Sequence, residues 1–251
     1  MTEHEEFFCE DPWLTLKSLS GRTSARKRGL FACACCRRVW PLLEKANRTA
    51  IKVAEQFSDG EASEQERDSA KMTGWEASRK FRTSPFGVEG LIAYSTAFAM
   101  SDAAPSYAAG AALCAAGIDC SSDVSQNYES IAAVCASGST AYEAIRSGSV
   151  ANKKSAWERV DQQERIAQSQ LLRDIFGNLF RSRSVEECWI TPSVRSIAHF
   201  IYKGRAFDRL PILADALEEA GCTNADILLH CRQPGDHARG CWVVDLVLGK
   251  V

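Results

Sequence analysis

The strongest constraint on this chain is a succession of apolar stripes at helical spacing. Each opens on a capping signal and closes on a glycine or proline, with no alternating β-branched run between them. Ser24 is placed to cap a helix that runs to about Val39 and stops before Pro41. Its centre, Leu30 to Cys36, is apolar on every face, the mark of a helix buried all round. Asp11-Pro12 predicts a short helix before it, closed by Gly21. Glu44 to Phe57 forms the next, with Ala50, Val53, Ala54 and Phe57 on one side. Ser63 with Glu66 spells a capping box for a helix reaching about Phe81.

The pattern returns after Asn152. Trp157, Val160, Ala167, Leu171 and Ile175 line one stripe up to Phe176, and Gly177 ends it. Thr191-Pro192 starts another helix, with Val194, Ile197, Ala198 and Ile201 inward and Gly204 after its end. Asp208 is the expected cap of a helix ending at Gly221, with Ile212, Leu213, Ala216 and Leu217 on the core face. Thr223 with Asp226 reads as a second capping box, for a helix ending at Cys231. A final helix is expected from about Ala238 to Leu248.

These signals predict an all-α, irregular multi-helix bundle of about nine to eleven helices. The expected organisation has three parts. An N-terminal helical part covers 1–82, and an Ala/Ser/Gly-rich helical or partly mobile insertion covers 83–148. A C-terminal helical part, 149–251, packs with 1–82 into a single core.

Composition narrows the function classes. Thirty basic and 32 acidic residues give a net charge of −2, too little to steer nucleic acid or an anionic membrane globally. The apolar stretch from Gly90 to Gly117 is broken by Asp102 and Pro105, so no membrane span is expected. The chain opens on acidic residues where an export signal is basic and then apolar. The expected location is therefore cytoplasmic, with the 11 cysteines reduced.

Charge is uneven along the chain. Arg22, Arg26, Lys27, Arg28, Arg37 and Arg38 fall in one acid-free run, while from Pro85 to Ala151 Arg146 is the only base. Arg22, Arg26, Lys27 and Arg28 are thus candidates for contact with an anion or an acidic partner. Basic side chains at a helix start oppose its macrodipole, and the acidic middle of the same chain is one source of compensating charge.

Four segments carry a resemblance: RGLFACACCRRVW at 28–40, LLRDIFGN at 171–178, AFDRLPILADAL at 206–217 and HARGCWVVDLVLGK at 237–250. Together they resemble a multi-copy family of uncharacterised bacterial proteins. The likeness covers roughly residues 1–80 and 165–251; family members are Ala-rich and variable between. It implies one helical fold and carries no activity with it.

The densest gathering of reactive side chains is the tail. Cys222, His230, Cys231, His237 and Cys241 lie within twenty residues. Zinc takes four thiolate or imidazole ligands in tetrahedral geometry, which makes His230, Cys231, His237 and Cys241 the candidate metal ligands. His237 and Cys241 share a face if the last helix starts early. No Cys-x-x-Cys occurs there, and buried cysteine is also ordinary core, so packing is the plainer explanation. Cys33, Cys35 and Cys36, mid-helix in apolar surroundings, are read as core.

Two further readings stay open. Leu210 to Gly221 followed by Thr223 to Cys231 has the outline of a helix-turn-helix, though its second helix offers little positive charge. Cys241 with His237 and Asp236 is the one arrangement suited to a thiol nucleophile. No Walker loop, dinucleotide Gly motif or His-Glu-x-x-His is present.

The preferred function is accordingly a non-enzymatic protein-interaction or regulatory module, with another protein as partner. One alternative is a zinc-stabilised nucleic-acid-binding protein using the tail cluster and the Arg22 to Arg38 run. The other is a Cys-His enzyme.

Overall fold

A computed structural model describes residues 22–43, 45–78, 153–178 and 185–250, together with Pro12, Thr15 and Leu19. Every regular element among the described residues is helical, so the all-α expectation holds. Eight α-helices are described: α1 Ala25–Arg38, α2 Lys45–Ser58, α3 Glu64–Ser78, α4 Lys153–Phe176, α5 Pro192–Gly204, α6 Leu210–Glu219, α7 Ala225–Arg232 and α8 Trp242–Leu248. The insertion expected at 83–148 lies outside the described residues, as does the first expected helix apart from the three residues named above. No described helix is long and apolar enough to cross a membrane.

The chain divides into two compact units, Met1–Ser169 and Gln170–Val251. In the first, α2 packs on both α1 and α3. The Ser24 side chain accepts from the Lys27 amide and caps α1. Leu30 to Cys36 are all 5 % exposed or less, as a helix apolar on every face requires. The Ser63–Glu66 capping box forms reciprocally. Ser63 N–H donates to Glu66 Oε2 at 2.8 Å, and Glu66 N–H donates to Ser63 Oγ at 3.2 Å. The Ser63 amide, and after it the Ser63 hydroxyl donating to the same oxygen at 2.8 Å, hold the Glu66 carboxyl below its usual range.

The basic run finds its acids nearby. Arg26 pairs with Asp59 just past α2, Arg37 with Glu55 on α2, and Arg38 with Glu164 on α4. The buried Arg28 donates to the Thr23 carbonyl at 2.9 Å. Lys27 is half-buried and Arg22 exposed. The core face of α2 differs from the expected one. Asn47, Ala50, Ile51, Ala54 and Glu55 are buried, while Val53 and Phe57 are half-buried. Asn47 turns inward to donate to the Gly74 carbonyl of α3 at 3.3 Å.

In the second unit α5 packs against α6 and α8, and α7 packs against the same two helices. Val194, Ala198, Ile201 and Tyr202 of α5, with Leu210, Leu213, Ala214 and Leu217 of α6, supply half of the buried core. Burying a valine, leucine or isoleucine side chain contributes about 1.5–3 kcal/mol, and Val194, Ile201, Leu210, Leu213 and Leu217 are of that kind.

Several boundaries depart from sequence expectation. α5 opens as expected, with Thr191 Oγ accepting from the Val194 amide. Its cap beyond Gly204 is Arg205 in the left-handed region (φ +53°). Asp208 caps nothing; it lies in a short 3-10 turn, and α6 begins at Leu210 with Pro211 in its first turn. Ile212, expected inside, is 47 % exposed, because the face packed inward runs through Leu210, Leu213, Ala214 and Leu217. Asn224, rather than Thr223, caps α7, its side chain accepting from the Asp226 and Ile227 amides. The last helix starts at Trp242, four residues later than expected, so His237 and Cys241 share no helical face.

Candidate metal centre

Three segments of the second unit meet at one point. Asp174 lies in the last turn of α4, His230 in the last turn of α7, and His237 and Cys241 on the connection into α8. One ligand atom from each lies within 4.8 Å of those from the other three, and the group is buried or half-buried. This buried Asp/His/His/Cys group can hold a metal ion. No other such group occurs among the described residues.

The contacts converge on Asp174 Oδ1. His237 Nδ1 lies 2.6 Å from it and His230 Nε2 3.2 Å. The same His230 nitrogen lies 3.2 Å from Cys241 Sγ. The remaining polar atoms face the backbone. Asp174 Oδ2 accepts the Ala238 N–H at 2.9 Å, and His237 Nε2 faces the Gln233 carbonyl at 3.5 Å. Metal-binding histidines commonly donate their second ring N–H to a carbonyl, which fixes the tautomer that leaves the other nitrogen as a lone-pair donor. Around zinc at about 2.0–2.3 Å, tetrahedral donors lie about 3.3–3.6 Å apart. The separations at the site run from 2.6 Å to at most 4.8 Å and so span that range.

Local sequence builds this loop. Cys241 N–H donates to the Ala238 carbonyl at 3.0 Å, closing a four-residue turn. Its third residue, Gly240, takes φ +92°, which a side chain would resist. The turn aims the Ala238 amide at Asp174 and sets Cys241 as the residue preceding α8.

Electrostatics follow from burial and from the carboxylate. Burial alone pushes the Asp174 carboxyl up, but hydrogen bonds from His230 and His237 outweigh it and hold the group below its usual range. Burial pushes His237 down; the Asp174 hydrogen bond and charge outweigh it and raise the imidazole. Burial, and then the Asp174 charge, push the Cys241 thiol well up, opposed by the Val244 amide. A cation at the centre reverses that push, because a coordinating thiol loses its proton.

The four ligands expected from the tail therefore divide. His230, His237 and Cys241 belong to the group, and Cys231 does not. Cys231 is 1 % exposed in the unit's core, and burial with the Asp174 charge pushes its thiol up to about 12. Cys222 is likewise buried. Asp174 escaped the sequence reading because it is 56 residues from the nearest partner. One signal was available: it lies three residues from Leu171 and next to Ile175, a charge on an otherwise apolar stripe.

Geometry also bears on the other readings. In a nucleophilic triad, the nucleophile and the carboxylate bond opposite nitrogens of the histidine. At this site Cys241 Sγ and Asp174 Oδ1 both approach Nε2 of His230. On the second helix of the helix-turn-helix outline, His230 turns into the site, and Arg232 pairs with Asp215 and Glu218 of α6 at 2.8 and 2.5 Å. Those carboxylates raise the Arg232 guanidinium further above its already high value.

Compared with protein-family models, with curated proteins and with solved structures, the chain shows no match.

Proposed function

We propose that the unit from Gln170 to Val251 is a non-enzymatic, zinc-stapled helical module. Asp174 Oδ1, His230 Nε2, His237 Nδ1 and Cys241 Sγ hold the ion. The observation that carries this reading is that the Asp174 oxygen and the Cys241 sulfur approach one nitrogen of His230, at 3.2 Å each, while the spare atoms of Asp174 and His237 face backbone groups. Two nitrogens, one oxygen and one sulfur suit zinc among divalent ions; calcium and magnesium take oxygen.

Four protein donors complete a tetrahedron and leave no open position for a substrate, which is the arrangement of a structural site. When bound, the ion supplies cohesion between the end of α4, the end of α7 and the start of α8. The residues do the rest: the Gln233 carbonyl orients the His237 imidazole, and the Ala238 amide orients Asp174. A module stapled in this way presents a helical surface to another protein. The Arg232 pairing with Asp215 and Glu218 supports a protein partner over nucleic acid, since a groove-reading helix needs its cations available.

The test is elemental analysis of the purified full chain, followed by titration with zinc against a chromogenic chelator. One equivalent of zinc is expected. His237→Ala and Cys241→Ala should each lose it, while Cys231→Ala should retain it. A wild-type protein that takes up no zinc at micromolar free ion overturns the reading.

A further inference from the structure

Trp242 packs against the candidate centre from outside the ligand set. Its ring centroid lies 5.2 Å from that of His230, with the planes tilted by 57°. The His237 ring also meets His230, edge-on at 5.0 Å and 81°. The His230 imidazole therefore contacts both an indole and a second imidazole. Trp242 is also the residue next to Cys241 and the first residue of α8. A displaced indole thus disturbs two candidate ligands, one through ring contact and one through the chain.

The indole in turn rests on Gly177. A Cβ at that position would lie 2.9 Å from Trp242 Cγ and 3.1 Å from both Cδ1 and Cδ2. Those three atoms belong to the rigid ring and cannot swing aside as the end of a flexible chain does. Gly177 also takes φ +53°, a conformation that L side chains adopt reluctantly. It follows Asp174 by three residues at the end of α4. One helix end thus provides a carboxylate for the centre and, one turn on, a bare strip of backbone on which the indole lies.

We propose that Trp242 is a positioning residue for His230, and that Gly177 is the slot that lets it be one. This inference rests on the zinc reading above. It assigns to the Gly177–Trp242 contact the task of fixing the His230 ring so that Nε2 faces the centre. Neither residue offers the ion a ligand; they act through His230 and the backbone of Cys241.

The experiment uses the full chain as wild type, Trp242→Phe, Trp242→Leu and Gly177→Ala. Zinc affinity is read by competition with a chromogenic chelator, and coordination geometry from the visible absorption of the cobalt(II)-loaded protein. Far-ultraviolet circular dichroism monitors folding. Supporting elements of metal sites are worth roughly 10–100-fold in affinity, so Trp242→Leu and Gly177→Ala should each weaken zinc binding by that factor and alter the cobalt spectrum. Trp242→Phe, which keeps a flat ring beside His230, should stay within about threefold of wild type with the wild-type spectrum.

Wild-type affinity and an unchanged cobalt spectrum in both Trp242→Leu and Gly177→Ala overturn the inference and leave the zinc reading intact. If Trp242→Leu loses its helical signal, Gly177→Ala decides the matter on the same two readouts. If both lose it, a Trp242→Phe variant with weakened zinc binding and an altered cobalt spectrum overturns the inference. A wild type without zinc uptake removes the reading and the inference together.

Discussion

Replacing Asp174 by Asn isolates the charge at the heart of the candidate centre, because the side chain keeps its size and loses its anion. The Asp174 side chain is 4 % exposed and touches His237 Nδ1, His230 Nε2 and the Ala238 amide at 2.6, 3.2 and 2.9 Å. Hydrogen bonds to a charged group contribute about 1.5–3 kcal/mol each, and breaking a buried pair by removing one partner costs about 3–5 kcal/mol. The asparagine can still accept one bond but must turn its amide toward a second donor. A loss of about 3 kcal/mol is therefore expected even in chelator-treated protein, the scale of one broken pair. Native-state hydrogen exchange of the full chain reads this directly. A loss of that size speeds exchange by opening at the core amides of α5 and α8 roughly 150-fold. With zinc present the wild type should gain protection and Asp174→Asn should gain little. Exchange in Asp174→Asn within about fivefold of wild type, with and without zinc, would refute the reasoning that the carboxylate organises the site.

Other expectations follow from the same contacts. In chelator-treated protein, the folded Asp174 carboxyl titrates below its ordinary value. Its contribution to stability is present above the unfolded carboxylate value and is lost as pH falls through the lowered one. The folded His237 imidazole titrates above its ordinary value, so its contribution is present below about pH 6.5 and is lost as pH rises through the raised value. The urea midpoint of the second unit should therefore decline as pH rises from about 6.5 through the raised His237 value and stop declining once zinc is added; a midpoint that climbs there without metal contradicts this. Among the described cysteines Cys188 is exposed and the other six are buried, so native thiol labelling should mark Cys188 fast and Cys33, Cys35, Cys36, Cys222, Cys231 and Cys241 slowly. Fast labelling of Cys241 would revive the enzyme reading. In the first unit, Glu55→Ala removes both 2.6 Å contacts to Arg37, whose side chain is 21 % exposed. The expected loss is about 2–3 kcal/mol in urea unfolding, and a change under about 0.5 kcal/mol would place the pair with surface salt bridges.

Local signals were read well where a side chain answers to its own helix. Ser24, Thr191 and the Ser63–Glu66 box cap as expected, because a cap satisfies amides two or three residues away and needs no distant partner. The readings that failed depended on neighbours further off. Asp208 looked like a cap, yet the 3-10 turn and Pro211 start α6 at Leu210, and the buried stripe through Leu210, Leu213, Ala214 and Leu217 leaves Ile212 at the surface. Thr223 and Asn224 are both capping residues, and the choice between them rested on where the preceding turn at Gly221 delivers the chain.

The candidate centre shows the same division. The sequence alone determined an all-helical chain and concentrated His230, His237 and Cys241 in the tail, since periodicity and composition are local properties. Only the tertiary structure decided which of the clustered side chains meet. Cys231 is buried in the core and is not one of the group's donors, while Asp174, far off in the chain, completes it. A ligand set is a coincidence of points in space, set by how helix ends pack, and linear spacing carries no record of that packing.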